Sequence, residues 1–204
     1  DNLLNVVALT VNGNNNTTLT LDDRGNVAGL LPVNYTPQNT SYLIDDGRLT
    51  RTAYADVFPS PLPQPQAFRS TIQYQGLAGL TIDGGPTGPY AYQINGALGA
   101  GPVVINAGGQ DAVTLGNAGH NLNDVPNVTV NGNGATTVEM DDRGNRQVST
   151  ASSFYLPVET QFFVEAGRLQ DPPSGVLTRV ATAFTTFPTG QLSFYPFTST
   201  VGYN

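Results

Sequence analysis

Apolar and β-branched residues alternate with polar ones over short stretches of this chain. Thr17, Leu19 and Leu21 fall on one side and Thr18 and Thr20 on the other, the period of two that a half-buried strand produces. Residues 3–11 form an apolar, β-branched run, and Asn12-Gly13-Asn14-Asn15-Asn16 separates it from residues 17–21. Asn-Gly between two such runs predicts a hairpin, because both central positions tolerate positive φ. The same arrangement returns as 128–130, Asn131-Gly132 and 136–140. Further strands are expected at 41–44, 49–57 and 67–75, then at 161–164, 177–184 and 197–203. Gly-bounded runs at 80–82, 90–94, 103–105 and 112–115 add four more. The alternating Pro61, Pro63 and Pro65 cannot donate ladder hydrogen bonds and predict a loop or extended edge segment. No 3.6-residue period persists for ten residues, and 23 Gly and 15 Pro punctuate the chain at strand-length intervals. The expected fold is all-β with antiparallel strands and essentially no helix. Two tandem jelly-roll-like sandwich units are expected, a sandwich or small barrel fitting five or six short strands per repeat where a solenoid does not.

The pattern occurs twice. Thr10-Val11-Asn12-Gly13, Thr17-Thr18 and Asp22-Asp23-Arg24-Gly25-Asn26 return 119 positions later as Thr129-Val130-Asn131-Gly132, Thr136-Thr137 and Asp141-Asp142-Arg143-Gly144-Asn145. Thr40 through Gly47-Arg48-Leu49 matches Thr160 through Gly167-Arg168-Leu169, and Phe68, Ser70, Thr71, Ile72 and Tyr74 match Phe197, Ser199, Thr200, Val201 and Tyr203. The expected division is a first sandwich repeat at 1–75, a Gly-rich strand-containing connector at 76–119 and a second repeat at 120–204. The second repeat stops at the position equivalent to Gln75 and has no counterpart of the connector. Either the connector completes both repeats within one chain, or the second repeat keeps an unfilled sheet edge for another chain to cover, and such an edge is an association site.

Composition narrows the function classes. Charged residues make up 11% of the 204, against about 25% in an average soluble domain. An Asn- and Thr-rich surface of this kind suits a chain that packs against its own copies or carries glycans. With a net charge of −7 and no lysine, the chain repels phosphate backbones, so nucleic acid is not an expected partner. No apolar run approaches the roughly 18 residues of a membrane span. Starting at Asp1 fits a mature exported protein after signal-peptide removal, placed outside the cell or on its surface. Sequons at Asn15, Asn16, Asn34, Asn39 and Asn127 are glycosylation candidates.

Few residues offer chemistry. Asp22, Asp23 and Asn26, and again Asp141, Asp142 and Asn145, gather three oxygen ligands in one turn, the donor set Ca²⁺ prefers. The plain turn reading outweighs a structural Ca²⁺, since Asp, Gly and Asn are turn residues for backbone reasons and no EF-hand spacing is present. Arg24, Arg143, Arg48 and Arg168 read as surface ion-pair partners. His120 is the only histidine and Cys is absent, so neither a nucleophile–base triad nor an imidazole metal site assembles. Gly84-Gly85 and Gly99-Ala100-Gly101 lack the Lys and Ser/Thr of a phosphate loop. Among the aromatics, Tyr74, Tyr90, Tyr92, Phe154, Tyr155, Phe162, Phe163, Phe194, Tyr195 and Phe197 are expected in the core.

The expectation is a non-enzymatic, exported structural protein without cofactor. Its copies would add strands to one another's sheets in a filament or surface layer. The N-terminal strand, with Asn2, Leu3, Leu4, Val6, Val7 and Leu9, is the expected donor, with a strand from 76–118 as the alternative. Two alternatives are an adhesin or carbohydrate-binding sandwich pair and a viral capsid or decoration protein.

Overall fold

The computed structural model of the chain describes residues 3–27, 35–57, 65–86, 88–97, 99–116, 121–125, 127–149, 154–166, 175–186 and 192–203. Among these every regular element is a strand, as the turn spacing predicts, and no helix is present that is long and apolar enough to cross a membrane. The strands are β1 (Ala8–Asp22), β2 (Tyr35–Asp45), β3 (Arg48–Val57), β4 (Pro65–Asp83), β5 (Tyr90–Ile94), β6 (Val103–Asn106), β7 (Ala112–Leu115), β8 (Val128–Asn131), β9 (Thr137–Met140), β10 (Val148–Ser149), β11 (Phe154–Ala166), β12 (Gly175–Thr186) and β13 (Leu192–Tyr203). They join in one mixed, curled sheet in the order β10-β11-β12-β13-β8-β6-β4-β3-β2-β5-β7-β9, with β1 beside β4.

The long β4 divides this sheet into two rows. Its second half, residues 77–83, lies between residues 17–22 of β1 and β6, and the row continues through β8 to β13, β12, β11 and β10. Its first half lies between residues 8–12 of β1 and β3, and that row continues through β2, β5 and β7 to β9. From β4 to β9 the chain winds between the rows as a coil, placing Leu80, Val103 and Val128 in one line and Ala91, Ala112 and Thr137 in another.

Three expectations fail here. The strands are not all antiparallel: β2-β3-β4 and β10 to β13 pair antiparallel, whereas β1 with β4 and every pairing of the coil is parallel. In place of two separate sandwiches, the strands of both repeats share one curled sheet, and the coil between them stacks in the solenoid-like manner that the strand pattern disfavours. Nor is there a hairpin at 12–16. β1 is one strand whose halves both pair with β4, and the extra residues between Asn12 and Thr17 form an irregularity in the ladder. Asn131-Gly132 likewise turns a corner, because β8 pairs with β6 and β13 while β9 pairs with β7. Turn-prone residues mark where a chain bends but not which strand will satisfy the backbone groups on either side. At the β1–β4 irregularity the two backbones cross so closely that a Cβ on Gly13 would lie 2.2 Å from the carbonyl oxygen of Gly76.

Rows and ladders generate the core. In one row Leu19, Leu80, Val103, Val128 and Val201 stand level, as do Leu21, Ile82, Ile105, Val130 and Tyr203. In the other, Tyr42, Tyr92, Val113 and Val138 form one line and Ile44, Ile94, Leu115 and Met140 the next. Most of these close over a single apolar cluster, and each fully buried Ile or Leu contributes about 1.5 to 3 kcal/mol of transfer free energy. A polar ladder ends one row: Asn131 Nδ2 donates to Asn106 Oδ1 at 2.6 Å and Asn106 Nδ2 to Asp83 Oδ1 at 2.5 Å. Each amide thereby donates to the strand beside it.

Candidate functional site: paired locks and open edges

The acidic pentapeptide follows β1, where the chain leaves the sheet and must turn. Asp22 accepts from Arg24 Nε at 2.9 Å and from Arg24 Nη2 at 2.5 Å, on the surface. That guanidinium holds the Asp22 carboxyl down at about 2. Asp23 points the other way and is fully buried. Its carboxylate accepts from Arg51 Nε (2.8 Å) and Nη2 (3.0 Å), from the Tyr42 hydroxyl (2.6 Å) and from the Leu3 backbone N–H (3.0 Å). Asn26 Nδ2 donates to Thr40 Oγ1 at 3.0 Å. Ser70, level with Arg51 across the β3–β4 ladder, donates to the Leu3 carbonyl at 3.0 Å. Two carboxylates adjacent in sequence thus take opposite tasks, one solvated and one closing a buried charge pair.

The second repeat rebuilds this lock group by group. Arg143 holds Asp141; Arg179 Nε and Nη2 each donate to Asp142 at 2.9 Å; and Leu122 N–H donates to Asp142 at 3.2 Å. Asn145 Nδ2 donates to Thr160 Oγ1 at 2.8 Å, and Ser199 Oγ donates to the Leu122 carbonyl at 2.7 Å. The strand register repeats as well. Arg51 faces Ser70 as Arg179 faces Ser199, Leu9 faces Ile72 as Val128 faces Val201, and the β2–β3 irregularity at Pro37/Asn39 returns at Pro157/Glu159 in β11–β12. Differences are local. Tyr42 is replaced by Phe162, so Asn145 supplies the remaining donor to Asp142, at 3.3 Å. Arg51 Nη1 is buried without a partner, while Arg179 Nη1 donates to Asn123 Oδ1 at 2.8 Å.

The six residues named for calcium therefore sit together in two turns, but their carboxylates are engaged by guanidinium groups. A cation at Asp23 or Asp142 would have to displace an arginine from both oxygens. Arg51 and Arg179, the centres of the locks, were missed in the sequence. Their signal was the repeated Leu-Thr-Arg at 49–51 and 177–179.

Three tyrosines crowd the first lock. Tyr42 and Tyr92 stack with centroids 5.1 Å apart, and Tyr90 lies 6.4 Å from each. Gly84 and Gly85 make room for them, since a Cβ on either would lie 2.1 Å from the Tyr92 or Tyr90 hydroxyl oxygen. Burial pushes the Tyr42 hydroxyl well up, with the Asp23 charge adding to it, and burial raises Tyr90 to about 12 and Tyr92 further.

The second constellation is at the sheet margins. Beside β2 lies β5; β11, its counterpart, has no strand beside residues 160–164 among the described residues. Phe162 is consequently 51% exposed where Tyr42 is 1%. β9 ends its row beyond β7, leaving Val138 40% exposed. At the other end, β1 pairs with β4 alone among the described residues, and Leu9 is 42% exposed where its counterpart Val128, flanked by β6 and β13, is 2%. Phe194 too is exposed, so the aromatics expected in the core divide: Tyr74, Tyr90 and Tyr92 are buried, Phe162 and Phe194 are not.

The N-terminal candidates are woven into their own sheet. Leu3 is tied to Asp23 and Ser70, Val6 N–H to the Leu3 carbonyl, and the Val7 carbonyl to Thr71 N–H. Leu4 is half-buried, Leu9 lies in β1, and Asn2 falls outside the described residues. Of the sequons, Asn15, Asn16, Asn39 and Asn127 are exposed, and Asn34 falls outside the described residues, as does His120. No known protein family, curated protein or solved structure matches the chain.

Proposed function

We propose that this chain is a non-enzymatic, exported structural protein whose copies join through their sheet edges into a filament or layer. In this reading 1–75 and 120–204 are two repeats of one folding unit, and 76–119 is the coil that spaces them. One observation carries it: Leu9, Val138 and Phe162 are exposed at the two ends of the sheet, while the equivalent or neighbouring ladder positions inside the chain are buried. Strand edges that are unpaired among the described residues, with apolar residues on their core-facing side, are templates for further strands. The described acids support the same reading, since those of the repeated turns are spent on arginine. A glycan-binding alternative lacks support of this kind. Its one favourable feature is a cleft of about 280 Å³ in which Tyr54 and Tyr90 stand beside Asn39, Thr40 and Gln110, whereas the cleft of about 410 Å³ beside Asn123 and Asp124 carries no aromatic side chain.

Sedimentation velocity and negative-stain microscopy of the purified chain test this. Assemblies that grow with protein concentration are expected. A monomer throughout the range from micromolar to about millimolar, affinities of roughly −8 to −4 kcal/mol, would sink the reading.

A further inference from the structure

We infer that Asn39 carries an N-linked glycan whose first sugar lies on the ring of Tyr54. The inference goes beyond the assembly reading and takes from it only export, because the transfer of such a glycan belongs to the secretory route. Asn39 and Tyr54 stand directly opposite each other on β2 and β3, where facing Cβ atoms are about 4.5 to 5.5 Å apart. Both belong to the outer face of the sheet. Their strand neighbours Thr40, Ala53 and Ala55 are buried, whereas Asn39 is exposed and Tyr54 is 43% exposed. The two border the cleft of about 280 Å³. Ser41, Ala91 and Ala112 stand level across β2, β5 and β7, and these short side chains leave the cleft open towards Gln110. A pyranose has a face of C–H groups and a rim of hydroxyls. Held at Asn39, it sets the first against an aromatic ring and the second among amide and hydroxyl groups.

Asn39-Thr40-Ser41 supplies the acceptor amide and, two residues on, the hydroxyl that an oligosaccharyl transferase reads. In the transfer Asn39 Nδ2 bonds to C1 of the first sugar of a lipid-linked diphospho-oligosaccharide. The C1–O bond to the diphosphate breaks, the lipid diphosphate leaves with that electron pair, and the amide nitrogen gives up one proton. The reaction acts on the chain before it folds, so the strand position of Asn39 does not obstruct it. The second repeat is an internal control. It keeps the ladder and its irregularity but sets Glu159 opposite Thr182, with Gln161 at the position of Ser41. Acceptor amide, hydroxyl and aromatic ring are lost together there, while the arginine lock beneath is kept. The other described sequons are placed differently. Asn15 and Asn16 fall between Asn12 and Thr17, where the β1–β4 register breaks, and Asn127 borders the larger cleft, which has no aromatic side chain.

The test uses the full chain secreted from a glycosylating eukaryotic cell behind a cleavable signal peptide. Peptides are weighed before and after enzymatic release of glycans, which converts an occupied Asn to Asp, and Asn39 is expected to be occupied in most molecules. The glycosylated chain is expected to melt about 2 to 4 °C above both Asn39→Gln and Ser41→Ala; the latter removes the sequon but keeps the Asn39 side chain. The same gain is expected in a Tyr54→Phe background, which retains the ring, and none in Tyr54→Thr, the residue that the second repeat carries. A bare Asn39 overturns the inference, and so does a glycan that stabilises equally with and without the Tyr54 ring. Assembly is scored separately by sedimentation. A bare Asn39 on a chain that assembles leaves the proposed function standing, and an occupied Asn39 on a chain that stays monomeric removes that reading alone.

Discussion

The two repeats place the same lock in different surroundings, and the surroundings decide how dry it is. In the first repeat β5 lies beside β2, so Tyr42 is stacked on Tyr92 and its hydroxyl reaches Asp23. The Arg51 and Asp23 side chains are both 0% exposed. In the second repeat no described strand takes the place of β5, Phe162 replaces Tyr42, and Asp142 retains 12% side-chain exposure. A neighbouring strand thus converts a partly hydrated ion pair into a buried one. The lock is set by its own turn, and its dielectric by what stacks alongside.

High pH breaks that comparison most completely. Tyr42, Tyr74, Tyr90 and Tyr92 all sit in or against the first repeat, and burial raises the hydroxyl of each above the ordinary value near 10. Below pH 10 these groups are neutral folded or unfolded, and the stability they support is intact. Above it the unfolded chain releases protons that the folded chain retains, so stability falls as pH rises, through the Tyr90 value of about 12. Cooperative loss of β circular dichroism between pH 10 and 12, coincident with phenolate absorbance, is expected. Phenolate absorbance that develops fully at pH 10 with the fold intact would contradict the buried stack.

Removing the arginines sharpens the contrast. Arg51→Met leaves Asp23 buried without its counter-charge and is expected to lower unfolding free energy by about 3 to 5 kcal/mol. Arg179→Met leaves Asp142 with water access and with the Leu122 N–H and Asn145 as donors, so about 1 to 3 kcal/mol is expected. Chemical denaturation of the two variants decides it. Equal losses would mean that β5 contributes nothing to the first lock.

The sequence made the repeat, the strand class and most strand positions legible, because alternation and turn residues are local signals. It did not reveal partners. β6 to β9 are four-residue strands, too short for alternation to distinguish an antiparallel hairpin from one turn of a parallel coil. A finer signal was present: Leu9-Thr10-Val11-Asn12, Leu80-Thr81-Ile82-Asp83, Val103-Val104-Ile105-Asn106 and Val128-Thr129-Val130-Asn131 share an apolar–β-branched–apolar–Asp/Asn form. The last three stack as the Asp83–Asn106–Asn131 ladder. The acidic turns are opaque for a related reason. Asp22 and Asp23 are indistinguishable in sequence, and only the position of Arg51, 28 residues on, separates the buried carboxylate from the solvated one.

Exchanging Tyr and Phe between the repeats isolates a single hydrogen bond. Tyr42→Phe keeps the ring but removes a donor from a charged, buried acceptor, and about 1.5 to 3 kcal/mol of stability is expected to be lost. Phe162→Tyr changes an exposed ring, and an effect within about 0.5 kcal/mol is expected. Thermal or denaturant unfolding of the pair is sufficient. A stabilising Phe162→Tyr would show that this ring reaches Asp142 in solution.

The smallest effect is predicted for chelation, where both repeats should behave alike. A structural Ca²⁺ requires several free oxygens at 2.3 to 2.6 Å, and each turn offers two carboxylates that already accept bidentate or paired arginine donors. Binding would replace a buried guanidinium by a more highly charged ion while leaving the arginine without a partner, a second desolvated charge in place of a neutral pair. An ion held only by the native state would raise its melting point in proportion to occupancy. The expected result is therefore no change in melting temperature when millimolar chelator replaces millimolar Ca²⁺. A fall of several degrees would restore a metal to Asp22, Asp23 and Asn26 or to Asp141, Asp142 and Asn145. In that case the Arg51→Met and Arg179→Met variants, with their carboxylates released, should bind it more tightly.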